Sequence, residues 1–383
     1  MNIFKELLSK PQFSHLSSLI TGNLHGYGEI RKIADFFSDK DQSSLSRFML
    51  SDAWDHEEIN NHRISYAKEI ADQKYKEYYS LIIDDGVTMK YGKQLPGIGF
   101  YFSHTEGRIV WGQTILTSHL ICGDLDIPLY ADVYLKENQI SHETPEFRSK
   151  IKIAEDHIAK FPKITGKKGV VIADSWFSSK GLIQKTIESG FIGLFGIKSN
   201  RTLEENNQFI QVRDICKNAK FSPVKAKNNH FRCITMKTKL KTGNIPVKLL
   251  ISQKYDPKKK KWGSNHYIVS TDVEMRAFTM LYLYLERWKI ETFYKFSKEE
   301  LGFKINRNNS YLSFLRFIYV IFHSFTYLAL RNCNLSVLFE NAKSNYHSKN
   351  LFVKANMWLL ILWSINKAAE GFSLIEIRQK LAL

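Results

Sequence analysis

Three carboxylate positions stand out for the chemistry they could share. Asp84 and Asp85 close the apolar run "YYSLIIDDG", Asp174 closes "GVVIAD", and Glu291 lies within "YLERWKIETFYKFSK", which runs from Tyr284 to Lys298. An Asp ending an apolar strand is commonly only a turn or cap residue. Two such ends together with a Glu on an Arg-bearing helix suggest more. Hard oxygen ligands suit Mg²⁺ or Mn²⁺, and a pair of such ions can hold the attacking and leaving oxygens of a phosphodiester. In the third segment Tyr284, Arg287, Glu291 and Lys298 follow one another at intervals of three, four and seven residues. At ~100° per residue on one continuous helix they share an arc about 60° wide. Leu285, Ile290, Phe293 and Phe296 fall on a separate apolar face. The plainer interpretation is a solvated face carrying an Arg-to-Glu pair one turn apart, worth a few tenths of a kcal/mol. Glu286, at ~200° on the same wheel, lies away from the arc, so its removal is expected to be close to neutral.

The elements that must position these residues alternate in type. Residues 1–75 are mainly of helical pattern, and Ser43 or Ser44 is a candidate cap for a short helix carrying Leu45, Phe48 and Met49. "YYSLIIDDG" reads as a buried strand stopped by an Asp-Asp-Gly turn. A hairpin, "IGFYFSHTEGRIVWGQTILTSHLI", follows it. A helix is expected from Phe147, then the strand ending at Asp174, a helix closed by Gly190, and the strand "FIGLFGIKS". Over 200–270 alternating segments suggest a small antiparallel sheet with the Lys-rich turn "YDPKKKKWGS". Helical pattern resumes near Met275, with apolar helices near 311–331 and 351–367. This alternation predicts an α/β core with an all-β insertion before the last helices.

Composition narrows the partner. The 55 Lys and Arg against 38 Asp and Glu leave a formal charge of +17. Such an excess suggests a polyanion, most simply nucleic acid. Cys122, Cys216, Cys233 and Cys333 form no C-x-x-C pair, which offers neither a zinc cluster nor a disulfide scaffold and fits a reducing cytoplasm. "MNIFKELLSKPQF" has no apolar stretch of signal-peptide length. The longest apolar run, residues 311–330, carries Arg316 and His323 and is read as a buried helix, so no membrane association is expected.

With these motifs in order, the chain resembles the DDE-class insertion-sequence transposases marked by the signature Y-x2-R-x3-E-x6-K. Tyr284, Arg287, Glu291 and Lys298 match it at every spacing, and "LIIDDG" and "VVIADSWF" look like the first and second Asp motifs. The similarity covers roughly residues 76 to 305. It implies a ribonuclease-H-like catalytic core, residues 76–199 and 271–332, interrupted by a β-rich insertion over 200–270. Helical regions would flank it at 1–75, with possible DNA binding, and at 333–383. It implies further that Asp85, Asp174 and Glu291 bind metal, Mg²⁺ or Mn²⁺ and two ions. Arg287 and Lys298 would hold phosphates and Tyr284 would hydrogen-bond one. Adjacent strand residues face opposite sides, so only one of Asp84 and Asp85 points into a site. Asp85 aligns with the family's Asp and is favoured, with Gly86 a departure where the family often has Thr. Trp262, beside Lys260 and Lys261, could stack an extruded base during hairpin formation or simply pack its own sheet. His104 could sit near the site but reads more simply as a hydrogen-bonded structural His. The implied partners are double-stranded DNA, at element ends and target, and a second copy of the chain on paired ends. Another metal-dependent nuclease on this fold, or a non-catalytic DNA-binding descendant, would explain parts of the pattern.

If the charge excess serves phosphate contact, DNA affinity should fall steeply between low and physiological salt, as counterion release requires. Titrations of duplex DNA over a salt series check this, and a flat response would exclude phosphate-dominated binding.

Overall fold

A computed structural model of the chain describes residues 4, 6–103, 106–215 and 220–330. His104, Cys216, Cys333 and the helical region expected over 333–383 lie outside these residues.

Strand β1 (Tyr78–Met89) is the spine of the sheet. Its run Leu81-Ile82-Ile83 is fully buried, one side chain after another, as a strand covered on both faces requires. It pairs in parallel with β5 (Lys168–Ala173), from Tyr78↔Lys168 to Ile83↔Ala173. On its other edge it pairs antiparallel with β3 (Arg108–Cys122), as far as Met89↔Gly112. β2 (Gly99–Ser103) and β4 (Leu125–Val133) take successive parts of the far edge of β3, and β6 (Ile192–Gly196) lies parallel to β5. The resulting order β2-β3-β1-β5-β6 is consistent with the expected ribonuclease-H-like α/β core. One expectation is corrected here. Asp84-Asp85-Gly86 does not stop β1, because β3 continues to pair with it across all three residues.

The segment after β6 is β-rich: β7 (Thr202–Glu205), β8 (Gln208–Gln211), β9 (Ser222–Ala226), β10 (Asn229–Leu240), β11 (Ile245–Asp256), β12 (Lys261–Trp262) and β13 (His266–Ser270). These strands do not form a sheet of their own. β13 hydrogen-bonds to β6 through Ile268↔Gly196, Val269↔Phe195 and Ser270↔Leu194, giving one 13-stranded sheet. The join also covers what would otherwise be an unpaired edge of the core.

Before the sheet come α1 (Lys10–Leu24), α2 (Ile30–Phe37), α3 (Gln42–Leu50) and α4 (His56–Asp72). Leu45, Phe48 and Met49 are buried as expected, but the cap of α3 is Asp41, whose Oδ1 accepts from Ser44 N at 2.7 Å. Asp41 stands one residue ahead of the helix, where its oxygen reaches the orphan N–H; Ser43 and Ser44 are already inside. Helices α5 (Lys150–Lys160) and α6 (Lys180–Glu188), capped by Ser149 and Ser179, belong to the core that takes Leu81 and Ile83. On the opposite face α7 (Ala277–Tyr284) and α8 (Trp288–Glu300) meet Ile82, Val170 and Ile172. α9 (Tyr311–Leu330) is long and apolar enough to cross a membrane by length and composition, yet 78% of its apolar window is buried in the protein. Its Arg316 donates to the carbonyls of Met49 and Trp54, both at 3.0 Å.

The N-terminal helices meet the loop after α8 at a pair of glycines. A β-carbon on Gly28 would lie 1.9 Å from the Gly302 carbonyl oxygen, and Gly302 itself has φ +73°. Gly28→Ala should therefore force the two segments apart and cost ~1–3 kcal/mol, as overpacking does. Urea unfolding of the variant measures this; an unchanged midpoint would mean the contact yields freely.

Candidate active site

The parallel pairing of β1 with β5 ends at Ile83↔Ala173, so Asp84, still within β1, and Asp174, just past β5, come next on neighbouring segments. That is the carboxyl edge of the parallel strands, where α/β proteins place their sites. Asp174 Oδ1 accepts from the backbone N–H groups of Trp176 (2.8 Å) and Phe177 (3.3 Å), which turns the chain toward α6. Asp84 shares its face of β1 with Ile82, the side of α7 and α8. Asp85 shares the face of Leu81 and Ile83 and looks toward α5, where Lys150 Nζ donates to its Oδ2 at 2.7 Å. The structure thus brings Asp84, rather than the favoured Asp85, to the side of the signature helix.

The signature segment is not one helix. α7 ends at Tyr284, a 3₁₀ turn spans Leu285–Arg287, and α8 begins at Trp288. The tighter turn takes these residues off a uniform wheel. Arg287 stands at the break with its fork divided: Nη1 donates to Asp84 Oδ2 at 3.1 Å and Nη2 to Glu291 Oε1 at 2.6 Å. Tyr284 hydrogen-bonds Arg287, and burial pushes its phenol up to about 12. Lys298 is turned inward, its Nζ donating to the Val87 carbonyl at 2.7 Å, and burial lowers its pKa. Tyr284 and Lys298 thus both have partners within the protein in this structure.

Tyr294 was missed by the sequence reading. Its hydroxyl accepts from Thr117 Oγ1 at 2.8 Å and lies 3.1 Å from the carbonyl oxygens of both Asp84 and Ile115. Its ring covers Gly86: a β-carbon there would meet Tyr294 Cε1 at 2.7 Å. This explains Gly86 where the resembled family often has Thr. The signal was available, since Tyr294 falls at ~280° on the wheel, beside Arg287.

Glu286 is a further correction. It is buried, 6% exposed, and its carboxylate meets Lys227 Nζ at 2.5 Å and Lys289 Nζ at 3.0 Å. Lys227 comes from the turn between β9 and β10, so this pair ties the insertion to the 3₁₀ turn beside Arg287. By contrast, Lys260 and Lys261 are exposed on the β11–β12 turn. Trp262 packs on the insertion's own strands, with the Arg232 guanidinium of β10 4.8 Å from its ring centroid and Tyr255 of β11 edge-on at 5.2 Å.

Burial pushes the Asp84 carboxyl up to about 7; Arg287 opposes this, while Asp174 and Asp85 add to it. Among the described residues no three Asp, Glu, His or Cys side chains stand close enough to form a ready-made metal cage. Arg287 instead occupies oxygens of both Asp84 and Glu291. The donor set nevertheless fits a hard divalent cation, since Asp84, Asp174 and Glu291 offer carboxylate oxygen alone.

Residues 32–212 match the family model described as DDE superfamily endonuclease, and residues 137–326 match the one described as transposase DDE domain. No curated protein matches the chain. The two matches support a DDE-class transposase, a nuclease of a superfamily whose domains are generally dependent on divalent metal.

Glu286→Ala should destabilise the protein by ~1–3 kcal/mol, because it leaves two lysines facing a half-buried void. Thermal or urea unfolding checks this. Lys227→Ala should cost little more once Glu286 is gone, and additive losses would mean the two residues act apart.

Proposed function

We propose that the chain is an insertion-sequence transposase of the Y-x2-R-x3-E-x6-K group, cutting double-stranded DNA at element ends and joining it to a target. The observation that carries this reading is the Arg287 fork between Asp84 and Glu291, beside Asp174 at the sheet's carboxyl edge. In this reading Asp84, Asp174 and Glu291 are the acids. Asp85, engaged by Lys150, ties β1 to the start of α5. Mg²⁺ or Mn²⁺ held by these acids would polarise the scissile phosphate and make water, and then a DNA 3′-hydroxyl, a competent nucleophile.

The chain's own residues supply the rest. Glu291 stands at a fixed height over β1 because Lys298 and Tyr294 bind that strand's carbonyls. Tyr284 orients Arg287, whose planar fork suits a phosphate once it leaves a carboxylate. No side chain need bond covalently to DNA. A hairpin intermediate, a cut-and-paste course and a homodimer on paired ends complete the proposal, with Lys258 to Lys261 as exposed phosphate contacts.

Asp84→Asn, Asp174→Asn and Glu291→Gln should each lower strand cleavage by at least ~100-fold while DNA binding changes little. Asp85→Asn should retain more activity than Asp84→Asn. Chelator should stop cutting and added Mg²⁺ restore it. Assays on DNA bearing the element's ends, with binding and melting temperature alongside, test the set. Wild-type cutting by Asp84→Asn, or cutting in excess chelator, would remove the basis of the proposal.

A further inference from the structure

We infer that Trp176, with Lys150 behind it, forms a stacking subsite for one unpaired nucleobase next to the cut phosphodiester; this rests on the reading that DNA is cut at Asp84, Asp174 and Glu291. Trp176 follows Asp174 by two residues, and the same turn that fixes the carboxylate fixes the indole, through Trp176 N–H to Asp174 Oδ1 at 2.8 Å. Its neighbour Phe177 is fully buried and meets the indole edge-on at 4.9 Å, yet Trp176 stays 49% exposed. A large aromatic surface is left open beside the acids although the adjacent core takes the next side chain completely.

The surroundings say what would cover it. Lys150 Nζ lies 5.4 Å from the Trp176 ring centroid and 5.3 Å from that of Tyr134, and its other partner is Asp85 at 2.7 Å. The ammonium is thus held in place near the open ring by a carboxylate and two aromatic faces. An aromatic plane next to a fixed cation is the pairing that takes a base by stacking and its flanking phosphate by charge. A phosphate alone would gain nothing from the ring and would face Asp174 and Asp84. An unpaired base carries no charge against those acids and matches the indole in shape. Trp262, the tryptophan singled out from the sequence for such a role, is less exposed than Trp176 and lies on the β12 hairpin of the insertion.

The test measures affinity of the full chain for a labelled single-stranded oligonucleotide and for the matching duplex, by fluorescence anisotropy in chelator. Trp176→Leu keeps apolar cover over Phe177 but removes the aromatic plane. It should weaken single-strand binding by roughly 5- to 150-fold and duplex binding much less. Trp176→Phe should recover most of the single-strand affinity, a rescue that a merely structural role would not show. Melting temperatures confirm that the variants fold. An unchanged single-strand affinity in Trp176→Leu, an equal loss on both DNAs, or a selective loss in Trp262→Ala but not in Trp176→Leu would overturn the inference. Cleavage assays separate the two claims: selective stacking loss in a chain that cuts no DNA keeps the subsite and discards the nuclease reading.

Discussion

One guanidinium carries the charge balance at the carboxyl edge of the sheet. Arg287 donates to Asp84 with one nitrogen and to Glu291 with the other, and without it the carboxylates there would repel one another in a half-buried setting. Even with Arg287 in place, burial and the neighbouring acids hold the Asp84 carboxyl near 7. Removing the cation would favour a proton on that oxygen, and a protonated carboxyl is a poor ligand for a hard cation. Lysine could not substitute simply, because a point charge on a flexible stem cannot divide itself between two carboxylates as a planar fork does.

The position of that fork depends on a break in the helix that carries it. The 3₁₀ turn Leu285–Arg287 lets Arg287 lean over β1 while Tyr284 stays behind it as a buried support. Glu286, in the middle of the turn, is anchored by Lys227 from the insertion and Lys289 from α8. The insertion is consequently part of the site's framework, joined to the core by β13 on β6 and by the ion pair of Lys227 with the buried Glu286 beside Arg287. On the far side of Arg287 the spacing of α8 from β1 is set by contact. Tyr294 can lie flat on the strand only because Gly86 has no side chain.

Much of this was legible in the sequence, and the failures have physical causes. Apolar runs marked β1, β5 and β6, and the acids closing the first two runs marked the edge where β1 and β5 part. The choice between Asp84 and Asp85 was not legible, because Leu81, Ile82 and Ile83 are buried on both faces and their alternation carries no direction. Only the identity of the helix on each face decides it. Asp-Asp-Gly is a fair turn signal, but pairing with β3 overrides it. The break in the signature helix has no Gly or Pro to announce it: "YLYLERWKIE" favours helix throughout, and the break comes from tertiary contacts. The wheel puts Glu286 away from the polar arc, but it carries no sign of Lys227, which comes from the insertion to meet that carboxylate.

Net charge alone is a poor guide to where DNA would lie, because many of the cations are structural. Lys90 is buried and its Nζ lies within 3.2 Å of the carbonyl oxygens of Phe303, Lys304 and Asn306. Lys298 does the same for Val87, and the buried Arg63 and Arg316 bind Leu129, Met49 and Trp54 carbonyls. Lys227 and Lys289 are committed to Glu286. A cation satisfied by carbonyls or acids inside the protein releases no counterions on meeting a phosphate. Other cations face solvent, among them Lys10, Lys93 and Lys258 to Lys261. In this structure the spaced residues of the signature are fasteners: Arg287 bridges Asp84 and Glu291, Tyr284 meets Arg287, and Lys298 ties α8 to Val87.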